Sequence, residues 1–503
     1  MSVTRLEPGD GVHTAVRFTR NVSFRLGSQV LSAAVNVAGM VLLGNRLNAA
    51  GYGDYVFWYA MVPLLASLAD LGTGVIVTRQ IARDPEHAGR TVGDGLVVKA
   101  LVALVCVAAM VPVLLVLDPR HALLVGLIVF TATFDFSQDV GAWAFRAHER
   151  LDLEAMLLLA SQLLWITGLA IGTLAGAGVP FMLGCSAVAF VVRWGVGLAV
   201  LSRRFYVPRW QPDRARLRAL VGQGLPLALA MFAIVLYGRV GVFLLKAFSN
   251  PAGVAQFNVA YMLSQPLGFI ASAISMAGFP FLARAALRED GTVAAALRRG
   301  LRYQYLVTLP LMAALFLLGD RIVALLFPNG AFHDSGRLLR IISLGLAPIF
   351  LNLMWRYALA ALDRQRRYLV AVLVGLAVNV AVGVVLIPSR GSEGAAVAFV
   401  AAELVIAVVC LHGLRRSVSA LDQLAAAWKP ALGTAVMAAV LVVTARTPLP
   451  VGIGAALLAY VLALALLRAF TADERAVLAR FFRSPRPTST PSLQPRPEGE
   501  TSC

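Results

Sequence analysis

Residues 23–83 read SFRLGSQVLSAAVNVAGMVLLGNRL (23–47), NAAGYGD (48–54) and YVFWYAMVPLLASLADLGTGVIVTRQIAR (55–83). A hydrocarbon core about 30 Å thick needs about 20 apolar residues per helical crossing. Both flanks of the glycine-rich turn supply that length. Each flank also carries groups that lipid disfavours. Gln29, Ser32 and Asn36 share one helical face at spacings of three, four and seven. Asp70 lies inside the second flank. The stretch therefore predicts a membrane hairpin with one wet face, turned toward a polar interior.

The rest of the chain has the same character. Of 503 residues, 59% are hydrophobic and 14% charged, and mean hydropathy is +0.78. That balance excludes a soluble globular domain. The net charge of +18 could signal nucleic acid. The basic residues instead fall in short segments between apolar runs, as the positive-inside bias requires, so no nucleic-acid partner is expected. Cys106, Cys185 and Cys410 lie in apolar stretches and read as small hydrophobes. The N-terminus shows no cleavable signal pattern.

Fourteen spans are predicted, near 24–46, 55–78, 96–117, 121–145, 156–176, 179–201, 221–247, 257–283, 301–327, 338–362, 368–388, 394–414, 430–446 and 450–470. With the N-terminus in the cytoplasm, most Lys and Arg fall on the cytoplasmic side. The predicted fold class is thus an all-α polytopic membrane protein with both termini cytoplasmic. The basic stretch SRRFYVPRWQPDRARLRAL, from Ser202, divides the spans. The expected organisation is a cytoplasmic arm (1–22), an N-lobe of six spans (23–201), a basic cytoplasmic linker (202–220) and a C-lobe of six spans (221–414). Two further spans (415–470) and a disordered cytoplasmic tail (471–503) follow.

The second lobe begins like the first. GYGDYVFWYAMVPLLA starts at Gly51 and GVAQFNVAYMLSQPLG at Gly253. Glycine aligns with glycine, Tyr55 with Phe257, and Tyr59 with Tyr261. Six spans separate the two hairpins, so both cross in the same direction. Parallel repeats about an axis along the membrane normal are expected, enclosing a central cavity.

A charge at mid-bilayer costs roughly 2.5–3.5 kcal/mol on insertion scales, so intramembrane charges mark candidate sites. Arg239, Arg193 and Arg356 are candidate cavity cations. Asp70, Asp135 and Glu403 could couple transport to an ion or balance those arginines. Gln29, Asn36, Asn258 and Gln265 would extend the wet surface. The plainer alternatives are buried ion pairs, helix–helix hydrogen bonds and, for Arg356, a side chain snorkelling to the headgroups. No phosphate loop, DxD, HExxH or GxSxG motif occurs. The chain is expected not to be an enzyme and to hold no cofactor and no metal.

Three stretches resemble the polysaccharide-biosynthesis flippases, the Wzx-like oligosaccharide transporters of the multidrug/oligosaccharidyl-lipid/polysaccharide (MOP) exporter superfamily. They are LGNRLNAAGYGDYVFWYAMVPLLASLADLGTGVIVTRQIAR, GRVGVFLLKAFSNPAGVAQFNVAYMLSQP, and ALLFPNGAFHDSGRLLRIISLGLAPIFLN followed by IPSRGSEGAAVAFVAAEL. Family members commonly place an acid two positions beyond the arginine; here that position is Gly241. The resemblance implies alternating access and transfer of a polyprenyl-pyrophosphate-linked oligosaccharide from the cytoplasmic to the outer leaflet of a bacterial inner membrane. A multidrug/cation antiporter and a peptidoglycan-precursor flippase are the alternatives. Expected partners are the lipid-linked substrate, membrane lipids, and a polysaccharide polymerase or glycosyltransferases.

Overall fold

The computed structural model describes residues 10–117, 122–137, 139–287, 292–415 and 419–469. The predicted tail (471–503) and the first residues of the predicted arm lie outside the described residues. Two compact units meet in sequence between Trp428 and Lys429.

In the first unit the helices run α1 (Asp10–Arg46), α2 (Ala49–Asp70), α3 (Thr73–Arg83), α4 (Ala88–Leu117), α5 (Ala122–Ser137), α6 (Asp139–Ala147), α7 (Leu151–Leu174) and α8 (Val179–Arg204). They continue as α9 (Arg214–Phe248), α10 (Pro251–Ser264), α11 (Leu267–Ala286), α12 (Thr292–Leu326), α13 (His333–Ser343), α14 (Leu346–Ala361), α15 (Gln365–Arg390) and α16 (Ser392–Leu414). α17 (Ala420–Val443) crosses the sequence boundary, and α18 (Leu449–Leu466) follows. Within the second unit, Gly433 lets the Tyr460 ring approach the α17 backbone, and Lys429 Nζ donates to the Arg468 carbonyl at 3.0 Å.

Every predicted span coincides with a helix or a helix pair. Among the described residues eleven helices are long and apolar enough to cross a membrane, or thirteen if two bent pairs each form one span. α2 and α3 bend by 44°, and α13 and α14 by 47°. The fourth span is a shorter apolar helix, Leu123–Ala132. Large apolar side chains such as Leu174, Val385 and Val443 point outward, which suits lipid and not water.

The bends have local causes. Leu71 and Gly72 adopt φ of 48° and 62°, a left-handed conformation that ends a right-handed helix. A Cβ on Gly72 would also press on Leu227 of α9. Between α10 and α11, Pro266 lacks the N–H that would continue the ladder.

The repeat is visible in fine geometry. Asn48 caps α2 by accepting from Gly51 N at 2.7 Å, and Asn250 caps α10 by accepting from Gly253 N at 2.8 Å. One turn on, Tyr55 stacks on Tyr59 (5.7 Å, 12°), and Phe257 stacks on Tyr261 (5.8 Å, 19°). The two copies pack against each other where α2 and α10 begin. Gly53 lets the Pro251 carbonyl rest on the α2 backbone. Lys246 Nζ reaches Asp54 at 2.7 Å, and Asn258 donates to the Tyr52 hydroxyl at 3.0 Å. The main hydrophobic core centres on this crossing, with Tyr52, Trp58, Phe257 and Phe332 buried in it.

The basic linker is shorter than the sequence suggests. α8 ends at Arg204 and α9 begins at Arg214, because helices extend past the hydrocarbon into headgroups without penalty. What remains is held on α4, where Arg209 N donates to the Gly89 carbonyl at 2.9 Å, and the first turn of α9 joins it there, Arg216 pairing with Asp94 at 3.2 Å.

Candidate substrate-binding site

Glu403 lies mid-helix on α16, only 7% exposed. A buried carboxylate must be hydrogen-bonded to be tolerated. Tyr237 of α9 donates to Glu403 Oε1 at 2.8 Å. Asn352 of α14 donates to Oε2 at 2.8 Å and to the Glu403 carbonyl at 3.1 Å. Three helices are thus pinned at one carboxylate.

Arg239 stands two residues beyond Tyr237. Two residues along a helix turn the side chain to the opposite face, so Arg239 points away from Glu403's ring of donors. It is half-buried and acts electrostatically on Tyr59 of α2 and Tyr261 of α10, the aligned tyrosines of the two repeats. Among the described residues no ion pair joins it to a carboxylate. Gly241, where the resemblance leads one to expect an acid, is instead the contact floor for the Phe257 ring; an added Cβ would meet it at 3.1 Å. Packing between α9 and α10, within the second lobe, thus takes the place of a charge.

Asp135 of α5 acts on the same Tyr59. Arg356 of α14 lies over the Tyr357 ring at 5.0 Å and reaches Tyr368 of α15, which also feels Glu403. Arg239 and Asp135 thus both act on Tyr59, and Arg356 and Glu403 both act on Tyr368. Arg193 is half-buried on α8, which packs with α2, α5, α6 and α7.

The uncharged candidates divide. Gln29 lines an apolar cleft of about 1050 Å³ between α1 and α11, floored by Leu326 of α12. Pro266 and Leu267, next to the exposed Gln265, line the same cleft. Asn36 is exposed and donates to the Ser32 carbonyl of its own helix at 2.8 Å, while the Ser32 hydroxyl accepts from Gln162. Asn258 holds Tyr52, as described above.

Asp70 pairs with Lys99 of α4 at 2.8 Å, and the ammonium lies over the Trp143 ring at 4.6 Å. Lys99 is 3% exposed. Sequence reasoning did not single it out, because it sits at the edge of its span, where a lysine reads as a loop charge. Its spacing from Asp70 in sequence carries no signal of contact. Tyr237 was missed too: a tyrosine in an apolar run is indistinguishable from core until its acceptor is known. Among the described residues no group of three or more His, Cys, Asp or Glu is arranged to hold a metal.

This is the fold of the MOP exporters, a multi-pass helical membrane protein that carries charged residues within its spans. The model of the polysaccharide biosynthesis protein family matches residues 18–286, and that of the lipid II flippase MurJ family residues 153–473. The chain belongs to these two overlapping families, the first through its N-terminal half and the second through most of the remainder.

A probable lipid II flippase MurJ of Rhizobium meliloti (strain 1021) is 30% identical over 234 residues, 44% of this chain and 42% of the relative. The chain thus spans about two fifths of the length of the MurJ relatives that it matches, 42% and 39%. The EPS I polysaccharide export inner membrane protein EpsE of Ralstonia nicotianae is 25% identical over 358 residues, covering 67% of this chain and 79% of the relative. Among solved structures, lipid II flippase MurJ in an inward closed conformation superposes with a TM-score of 0.73 at 14% identity, over 92% of this chain and 99% of that one. An inward-facing MATE multidrug resistance transporter gives 0.64 at 18% identity, over 76% and 94%. These likenesses establish the fold. The family and fold are those of transporters and flippases.

Proposed function

We propose that this chain flips a polyprenyl-pyrophosphate-linked oligosaccharide from the cytoplasmic to the outer leaflet, by alternating access, for export of a surface polysaccharide. The observation that carries the reading is Arg239, an intramembrane guanidinium within electrostatic reach of tyrosines from both repeats and held by no carboxylate among the described residues. A pyrophosphate cannot enter hydrocarbon without fixed cations. A guanidinium offers a planar fork matched to phosphate oxygens. Arg356, and Arg193 from the first lobe, would complete the neutralisation. Gln29 and Gln265 flank the α1–α11 cleft, whose apolar wall suits the polyprenyl chain while the headgroup enters the interior. In this reading Asn36 and Asn258 wet the sugar path only if their present bonds open. Asp70, Asp135 and Glu403 act as charge balance or in ion coupling. Both termini face the cytoplasm, and a polymerase or glycosyltransferases work on either side of the step.

Arg239→Ala should abolish transport while leaving expression and melting temperature close to wild type. Full transport by that variant would overturn the assignment. A second reading, transport of the peptidoglycan precursor, is favoured by the lipid II flippase match over residues 153–473. Lipid extraction and mass spectrometry after gene deletion separates the two. Accumulated polyprenyl-pyrophosphate oligosaccharide supports the first, and an accumulated disaccharide-peptide lipid the second. An unchanged lipid pool with new sensitivity to cationic drugs would point to an antiporter.

A further inference from the structure

A second basic site lies away from the central cluster, at the end of the α15–α16 hairpin where α15 begins and α16 finishes. Arg364, Arg366, Arg367 and Arg415 line a cleft of about 530 Å³ there, together with Val370 and Val409. Among the described residues none of the four arginines pairs with a carboxylate, although Asp363 precedes the first of them. Arg367 instead donates to the Gly413 carbonyl at 3.1 Å, which fixes that guanidinium across the two helix ends. α15 has no acidic residue in its first turn and no side-chain cap. The positive end of its helix dipole therefore adds to three arginines, of which Arg367 is offset by the carbonyl end of α16, and the combined charge favours an anion.

The two valines identify the anion's source. Val370 lies one turn inside Arg366 and Arg367, and Val409 nearly two turns inside Arg415, so the cleft is cationic at its mouth and apolar toward the hydrocarbon. A soluble phosphate would use only the mouth. A glycerophospholipid would use both walls, its phosphate on the guanidiniums and its first methylenes on the valines. Cationic pockets between helices at a membrane surface suit such headgroups, and the volume suits a headgroup, not a sugar chain.

We propose that this cleft is a binding site for the headgroup of an anionic phospholipid. It stands apart from the transport path, and its test does not depend on the flippase reading.

The experiment is native mass spectrometry of the full-length protein in detergent, titrated with dioleoyl phosphatidylglycerol. Phosphatidylcholine with the same chains and sodium phosphate serve as comparators. Phosphatidylglycerol should bind in preference to phosphatidylcholine, and sodium phosphate at the same concentration should not displace it. The Arg366→Gln, Arg415→Gln double variant should bind roughly tenfold more weakly or worse, since each basic side chain near an anionic headgroup contributes on the order of a few-fold. Arg366→Lys, Arg415→Lys keeps the charge and should stay within about threefold of wild type. Equal binding of the two lipids, full displacement by phosphate, unchanged affinity of the Gln variant, or equal loss in the Gln and Lys variants would each overturn the proposal. Retained binding in Arg239→Ala would show the two sites to be separate.

Discussion

Glu403 shows how one residue can organise three helices. Its two oxygens receive donors from α9 and α14, so removing either donor leaves a buried acceptor unsatisfied. Such a loss costs about 1–3 kcal/mol. Tyr237→Phe, which keeps the ring and deletes the hydroxyl, should lower stability by that amount in a detergent melting experiment. Glu403→Gln should cost less, since an amide oxygen still accepts from one partner and the charge no longer needs solvating. A Tyr237→Phe variant as stable as wild type would show that Glu403 finds another donor. Arg239 differs in kind. Its charge acts on tyrosines at a distance and pairs with no described carboxylate, so its loss is expected to reach transport more than folding.

At the scale of elements, the broken span α2–α3 is tied to α4 by Asp70–Lys99 and to α9 through the left-handed turn at Leu71–Gly72. Removing one member of a buried ion pair leaves the other uncompensated, whereas removing both is often close to neutral. Asp70→Asn and Lys99→Met alone should each destabilise the protein more than the two together, as thermal melts of the four forms would reveal. Additive losses would mean that the pair contributes little. The adjoining Thr78 hydroxyl lies 3.4 Å from the Trp143 carbonyl, so α3, α4 and α6 are expected to melt as one block.

At the scale of the whole molecule, the two repeats meet tightly where α2 and α10 begin, the end that the charge pattern assigns to the outer face. The proposed alternating-access cycle requires this end to open. Cysteines at Asp54 and Lys246, joined by a short bifunctional thiol reagent in a variant lacking the native cysteines, should block transport. A cleavable reagent should allow recovery on reduction. Continued transport with the link in place would mean that this end stays shut throughout the cycle.

The amino-acid sequence determined the class and the repeat, because both rest on local signals; of the fourteen spans it suggested, eleven to thirteen are long and apolar enough to cross among the described residues. Twenty apolar residues make a crossing whatever surrounds them, and the Asn-capped, aromatic-paired turn recurs from Asn48 to Tyr59 and from Asn250 to Tyr261. The helix boundaries around the basic linker were less legible, since arginines continue a helix as readily as they end one. The sequence also singled out the intramembrane charges, because the bilayer makes each one costly. Their partners were decided only in three dimensions. That Asp70 meets Lys99, that Glu403 meets Tyr237 and Asn352, and that Gly241 makes room for Phe257 depend on how distant helices pack. A hydrogen bond between residues 166 apart leaves no trace in the spacing of either one.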